Sequence, residues 1–264
     1  MTTISVEIPI TWGTYLREVL ENLRRQTFQD FEIVASVSSH STGVKDVLSE
    51  YGVKFIYSGE NILEKRYSAH NLSRGSYSLF LDETRLPSLN LLESLSESQA
   101  DMVIIKETNI GESIWTKLAN LDTEISIRCN DFNPLSGFVL PRYFKGELLN
   151  MAFEAIRKKL SSDIFKKILM EDHQIISYEA FQISKSISIT DKTLLFHYGD
   201  DSLYSIWKKY HKYGKSHRFL KNTNYDFMLS TKNRMRKNCL GNEIQMSIFY
   251  IARGLPFLMG YYFL

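Results

Sequence analysis

The chain has 264 residues, enough for one large domain or two small ones with a sizeable core, which excludes a peptide or a stapled mini-protein. Hydrophobic residues make up 44% and charged residues 23%, with 13 Gly and 5 Pro, so wholesale disorder and collagen-like repeats are excluded as well. Thirty-two Lys and Arg against 30 Asp and Glu leave a net charge of +2, a balance that by itself points neither to nucleic acid nor away from it. Cys129 and Cys239 lie far apart with no CxxC spacing, so neither a disulfide framework nor a thiolate zinc site is indicated, and a reduced, cytoplasmic protein is expected. Met1 to Ile10 carries Glu7 and Pro9 and lacks the basic start and long apolar run of a secretory signal.

Taken in chain order, Ile4 to Ile10 is a strand-length apolar run. Tyr15, Leu16, Val19, Leu20 and Leu23 then recur on one face of a helix. Phe31 to Val37 reads as a second strand, Val44 to Tyr51 as a short helix, and Val53 to Tyr57 as a third strand. Ile62 to Leu72 is helical in pattern, and Ser76 to Leu81 is a fourth apolar run. This β-α-β-α-β-α-β order predicts an α/β fold: a mainly parallel sheet with right-handed crossovers and helices on both faces.

Such sheets bind ligands beyond the carboxyl ends of their strands, where the strand order reverses. The residues to inspect are therefore Pro9, Thr11 and Trp12, then Ser38 to Ser41, then Asp82 to Arg85. No GxGxxG or GxxxxGK[ST] stands at any of them, so a nucleotide must be held without the standard glycine-rich loops. Asp82 and Glu83 close an apolar strand where a pocket would open. Paired carboxylates there suit a hard divalent cation bridging to diphosphate oxygens, although on the dipeptide alone a solvated acidic turn is the commoner outcome.

Read together, Pro9-Ile10-Thr11-Trp12, Gln26-Thr27-Phe28 before Glu32, Arg66, Arg74-Gly75-Ser76-Tyr77 and Asp82 form an ordered series. It resembles the nucleotide-binding half of family 2 glycosyltransferases, which have the GT-A fold, over roughly residues 4–200. The resemblance implies a nucleotide-diphospho-sugar donor, UDP- or GDP-linked, across Pro9, Thr11, Trp12, Ser38, Arg66, Asp82 and Glu83. It also implies a Mg²⁺ or Mn²⁺ ion on Asp82, Glu83 and His197. Two positions depart from the family pattern: its Asp-x-Asp stands here as Asp82-Glu83-Thr84, and its acidic second-strand end as Ser38-Ser39-His40-Ser41.

Further along, Glu171-Asp172 opens a stretch with apolar positions at Ile175, Ile176, Ala180 and Phe181. Carboxylates in a first helical turn are favoured by the helix dipole without any chemistry. In the resemblance this pair matches the acceptor-site acids, with Asp172 at the catalytic base. Leu194 to Phe196 leads into His197, a structural histidine on its residues alone and a diphosphate or metal neighbour in the resemblance. Asn133 to Gly137 reads as a loop before a short strand from Phe138, with Arg142 a candidate to face an anionic acceptor, and Trp115 reads as core or a sugar-stacking platform.

Charge is uneven. Ten Lys and Arg between Trp207 and Lys237 face Asp226 alone, giving +9 and leaving −7 for the rest. Trp207, Tyr210, Tyr213, His217 and Leu220 recur at helical spacing among those lysines, a basic amphipathic helix suited either to an anionic membrane surface or to packing on the body. The apolar Gly254 to Leu264 is too short to span a bilayer.

The expectation is therefore a GT-A domain over 1–200, with a nucleotide-sugar half at 1–100, an acceptor half at 101–200, and a membrane-peripheral extension at 201–264. Its activity would be an inverting transfer to a sugar or polyprenyl-linked acceptor at the cytoplasmic membrane face, with no nucleic acid involved. The competing expectation is a catalytically degenerate GT-A fold that binds a sugar nucleotide or a partner.

Overall fold

Every residue of Ile4–Ile10 is buried, and this run forms β1, the strand on which the sheet is built. The structure is a computed structural model, and it describes residues 4–41, 43–129, 139–229 and 243–263. The further strands are β2 (Phe31–Ser38), β3 (Lys54–Ser58), β4 (Tyr77–Phe80), β5 (Arg85–Pro87), β6 (Met102–Asn109), β7 (Tyr143–Lys145) and β8 (Ile187–His197). The helices are α1 (Leu16–Arg24), α2 (Val44–Glu50), α3 (Ile62–Leu72), α4 (Leu91–Ser96) and α5 (Ile114–Cys129). They continue with α6 (Gly146–Lys159), α7 (Ser162–Phe165), α8 (Asp172–Ile183), α9 (Leu203–His217) and α10 (Glu243–Tyr262).

The strands form one sheet in the order β3-β2-β1-β4-β7-β6-β8-β5. Its first half is parallel throughout, β1 pairing with both β2 and β4. Antiparallel β7 then separates β4 from β6, so the sheet is mixed and mostly parallel. The chain leaves β1 toward β2 and β3 and returns to β4 on the other side. The switch point thus lies between β1 and β4, and the crevice beyond their carboxyl ends is where this topology opens a site.

Strand alternation divides the core into two layers. Ile4, Val6, Ile8, Ile10, Leu79 and Leu81 point to one face with Leu16, Val19, Leu20 and Leu23 of α1. These four helix residues are fully buried, each worth roughly 1.5–3 kcal/mol relative to exposure, which fixes α1 on that face. Phe80 and Phe144 point the other way, against α3, α6 and α8. The short strand expected from Phe138 has its first residue outside the described residues. In the structure β7 starts at Tyr143, two residues after Pro141, whose ring nitrogen has no N–H for a ladder. The loop expected at Asn133 to Gly137 also lies outside the described residues.

Residues after 200 are packed into this body. Leu220 and Tyr225 are fully buried in the second layer, and Tyr225 donates its hydroxyl hydrogen to Glu179 of α8 at 2.9 Å. The aromatic stripe of α9 faces inward in part: Tyr210 packs against a third cluster made of Leu118, Ile125, Ile206, Met246 and Phe249. Helices α9 and α10 touch backbone to backbone because glycines meet at the crossing. A Cβ on Gly214 would stand 2.0 Å from the Phe257 carbonyl oxygen, and one on Gly260 would stand 2.0 Å from that of His211. Among the described residues no helix is long and apolar enough to cross a membrane.

Gly260→Ala is accordingly expected to destabilise the protein by about 1–3 kcal/mol in urea unfolding, since backbone has to move to admit the methyl group. Gly254→Ala, on the same helix with nothing within 4 Å, is expected to be neutral or to gain up to about 1 kcal/mol. Equal effects of the two substitutions would contradict the close crossing.

Candidate functional site

The loop after β1 and the turn after β4 meet at the switch point. There the Glu83 carboxylate accepts hydrogen bonds from three successive backbone N–H groups, of Thr11 and Trp12 at 3.1 Å and of Gly13 at 2.6 Å. Lys65 of α3 donates to the Thr11 hydroxyl at 2.7 Å, and burial pushes its ammonium down to about 8. Trp12 is left 80% exposed at the rim, its ring free to stack on a base. At the end of β2, the Ser38 hydroxyl is buried and has no hydrogen-bond partner among the described residues. Thr11, Trp12 and Glu83 are therefore in contact, and Pro9 and Ser38 stand at the neighbouring ends of β1 and β2.

Asp82, one residue before Glu83, is surrounded by guanidinium groups. Arg66 reaches its Oδ1 at 2.7 Å, Arg142 reaches Oδ2 at 3.3 Å, and Arg85 also bonds Oδ2. Arg66 turns its Nε to Asp172 at 2.5 Å, at the start of α8, while its guanidinium lies over the Phe80 ring. Arg85 and Arg142 also share Glu107 of β6, at 2.8 and 3.4 Å. Three guanidinium groups and three carboxylates thus form one largely buried cluster, drawn from α3, the turn before β5, β5 itself, β6, the turn before β7 and α8.

The two aspartates are tuned in opposite directions. Burial alone would push the Asp82 carboxyl up, but the charges of Arg66, Arg85 and Arg142 override it and hold it well below the usual carboxylate range. Burial pushes Asp172 up, and Arg66 offsets this only in part. Burial also lowers the Arg142 guanidinium, with Arg85 adding like-charge repulsion. His173 is kept neutral by burial and the nearby arginines, and its Nε2–H donates to the Pro141 carbonyl at 2.5 Å.

The expected metal ligands do not come together as a ligand set. Both Asp82 oxygens are committed to guanidinium groups and both Glu83 oxygens to backbone N–H groups. His197 is driven down to about 2 by burial and Arg85, so its neutral ring donates Nδ1–H to Asn109 at 2.9 Å. Among the described residues no group of three or more His, Cys, Asp or Glu side chains is placed to hold a metal. These side chains do not fit a divalent cation. Glu171 likewise turns away from the cluster: its carboxylate is buried against His217 at 2.5 Å and Ser216 at 3.2 Å, tying α8 to α9.

Beside the cluster, and not over it, lies a cavity of about 660 Å³, within the usual range for small-molecule sites. Glu107 and His197 form its wall toward the arginines; Trp115, Tyr210, Phe249 and Arg253 form the far side. Neither Asp82 nor Asp172 lines it. Trp115, half-buried on α5, both packs on the third core cluster and faces this cavity. Arg142, expected to meet an acceptor, instead serves Asp82 and Glu107.

Solved structures share this architecture. The S. aureus TarS fragment 1–349 in complex with UDP-GlcNAc matches 98% of this chain and 81% of its own, at 18% identity and a TM-score of 0.54. The Pyrobaculum calidifontis mannosyltransferase in complex with GDP-Man and Mn²⁺ matches 97% of this chain and 72% of its own, at 12% identity and a TM-score of 0.56. The fold is that of the GT-A glycosyltransferases. The Mycobacterium tuberculosis glucosyl-3-phosphoglycerate synthase, solved with Mn²⁺, UDP and phosphoglyceric acid, matches 83% of this chain and 78% of its own, at 13% identity and a TM-score of 0.54. No protein-family model matches the sequence, and no curated protein sequence matches it significantly.

Arg85 and Glu107 were not singled out by sequence reasoning. Arg85 stands in the inspected Asp82 to Arg85 turn, a signal that could have found it, whereas Glu107 is one charge in a Lys-Glu-Thr-Asn strand end and carries none.

Asp82 and Glu107 have ordinary values of 3.8 and 4.5, and the arginines hold both lower in the folded protein. Carboxylates lowered by folding contribute stability that is present above those ordinary values and is lost as pH falls through the depressed ones. The thermal midpoint is expected to fall steeply below about pH 4.5. Glu107→Gln is expected to cost about 2–3 kcal/mol at neutral pH and to flatten that acid limb. An unchanged acid limb in the variant would contradict the assignment.

Proposed function

We propose that the protein is a glycosyltransferase that moves a sugar from a nucleotide-diphospho-sugar to an acceptor hydroxyl with inversion. The observation that carries this reading is the meeting of Asp172 and three arginines at the β1–β4 switch point of a GT-A fold. The nucleoside would lie along Trp12 and Ser38, with its diphosphate toward Arg66. The acceptor would enter from the 660 Å³ cavity, where Trp115 offers a face for a sugar.

In this mechanism the acceptor oxygen attacks the anomeric carbon as its proton passes to the Asp172 carboxylate. The new C–O bond forms on one face while the bond to the diphosphate oxygen breaks on the other. The nucleoside diphosphate leaves with the electron pair, and that growing charge is met by positive groups already in place. A raised Asp172 suits a base, because a more basic carboxylate takes a proton more readily. His173, Pro141 and Arg66 fix the position of the α8 start. Mg²⁺ or Mn²⁺ would supply Lewis-acid charge to such a reaction, but the residues do not fit it and no step here depends on it.

Asp172→Asn is expected to lower turnover by roughly 10²–10⁴-fold with nucleotide binding nearly intact. The wild-type pH–rate profile is expected to lose activity on its acid side at a pH above the ordinary aspartate value of 3.8. Near-normal turnover in the variant would reduce the Glu171-Asp172 pair to a helix start. One observation favours the second reading, a non-catalytic sugar-nucleotide module: both Asp82 oxygens and one of Asp172 are already engaged by arginine. Tight donor binding with no transfer or hydrolysis across a panel of acceptors would support it.

The proposal extends to an anionic membrane surface on the cytoplasmic side and a polyprenyl-linked acceptor. Its support is the outward stripe of α10, where Ile248, Ile251, Leu255, Leu258 and Tyr262 stand exposed, beside α9 with exposed Tyr204, Trp207, Lys208, Lys212 and Lys215. Flotation with vesicles is expected to need anionic lipid and to weaken as the Debye length falls from about 30 Å to about 8 Å. Salt-insensitive binding to neutral vesicles would contradict the electrostatic part. Removal of residues 201–264 is expected to unfold the protein, because Leu220, Tyr225 and Phe249 are core residues.

A further inference from the structure

The acidic turn after β4 is where a GT-A site with a cation would hold it. In this chain three guanidinium groups already stand there. Arg66, Arg85 and Arg142 all bond Asp82, and a dication placed on that carboxylate would sit a few ångströms from three like charges. The arginines are not exhausted by their partners. Arg66 Nη1 is buried with no hydrogen-bond partner among the described residues, on a side chain that is 4% exposed. Arg142 makes long contacts, 3.3 Å to Asp82 and 3.4 Å to Glu107. Asp82 and Glu107 are the most open of the six, at 21% and 20%, against 4–12% for the three arginines, so the cluster turns two of its carboxylates outward and keeps its cations behind them.

Guanidinium groups match phosphate oxygens in a bidentate fork, and in a site shielded from water they supply the charge stabilisation that a metal supplies elsewhere. We propose that Arg66, Arg85 and Arg142 take the donor diphosphate directly, in place of a divalent cation, and that Asp82 is the internal counter-anion which the diphosphate displaces. The inference rests on the reading of the chain as a nucleotide-diphospho-sugar enzyme. Under it Asp82 competes with the ligand, where in a cation site it would recruit the ligand. The two roles give opposite signs to the same substitution.

The test is isothermal titration of UDP and of GDP into the full chain, once in EDTA and once in Mn²⁺, for the wild type, Asp82→Asn and Arg142→Lys, with folding checked by circular dichroism. At least one nucleotide is expected to bind the wild type with the same affinity in both buffers. Asp82→Asn is expected to bind it more tightly, and Arg142→Lys, which keeps the charge and loses the fork, at least about tenfold more weakly. Binding that appears only with Mn²⁺ and is lost in Asp82→Asn overturns the inference and leaves the glycosyltransferase reading standing. A folded wild type that binds neither nucleotide in either buffer overturns both. Should Asp82→Asn fail to fold, the wild-type comparison of EDTA with Mn²⁺ decides alone.

Discussion

The ion cluster around Asp82 is the constraint on which the rest of the site depends. Taking a guanidinium or a carboxylate out of water costs several kcal/mol per ion, and an incomplete cluster would not be tolerated in the interior. Here three positive groups meet three negative ones, each bonded to at least one opposite charge. Because its members come from α3, β5, β6, α8 and the turns before β5 and β7, the cluster also locks both halves of the mixed sheet to one another. It places a dense, preorganised set of charges at the point where the topology opens a crevice.

Most of the first hundred residues were legible because local signals agreed with the global fold. The run Ile4 to Ile10 became β1 and Ile62 to Leu72 became α3 with both ends as read, and the other early elements shifted by a residue or so. Buried parallel strands show as continuous apolar runs and short helices as one-sided faces, so both are written in the nearby sequence. Strand-end topology put Pro9, Thr11, Trp12, Ser38 and Asp82 at the carboxyl ends of β1, β2 and β4, and Arg66, on α3, was legible only through the family resemblance. What did not follow was how their charges are spent. Glu83 reads as a metal ligand in sequence, yet its partners are backbone N–H groups some seventy residues away. Glu107 meets Arg142 and Arg85 only because β6 lies beside β7 and one strand from β5, information held in no local pattern.

The change in charge near residue 200 illustrates a related limit. Lysines at Lys208, Lys212 and Lys215 mark a solvent-facing side of α9, and composition registers that side strongly. Packing is registered by smaller residues: Gly214 and Gly260 let two backbones touch, and Ser216 and His217 bury against Glu171. A compositional boundary therefore falls where the chain is structurally continuous with the body. The same helices wall the cavity beside the arginines and carry the exposed apolar stripe, so acceptor access and surface attachment would share one part of the molecule.

The measurement that bears most directly on the arginine account is a crystal structure of the protein with UDP or GDP grown in EDTA. The account predicts diphosphate oxygens within hydrogen-bond distance of Arg66, Arg85 and Arg142, with the Asp82 carboxylate turned out of the positions it holds now. Crystals that take up nucleotide only with Mn²⁺, showing the ion between Asp82 and the phosphates, would contradict it.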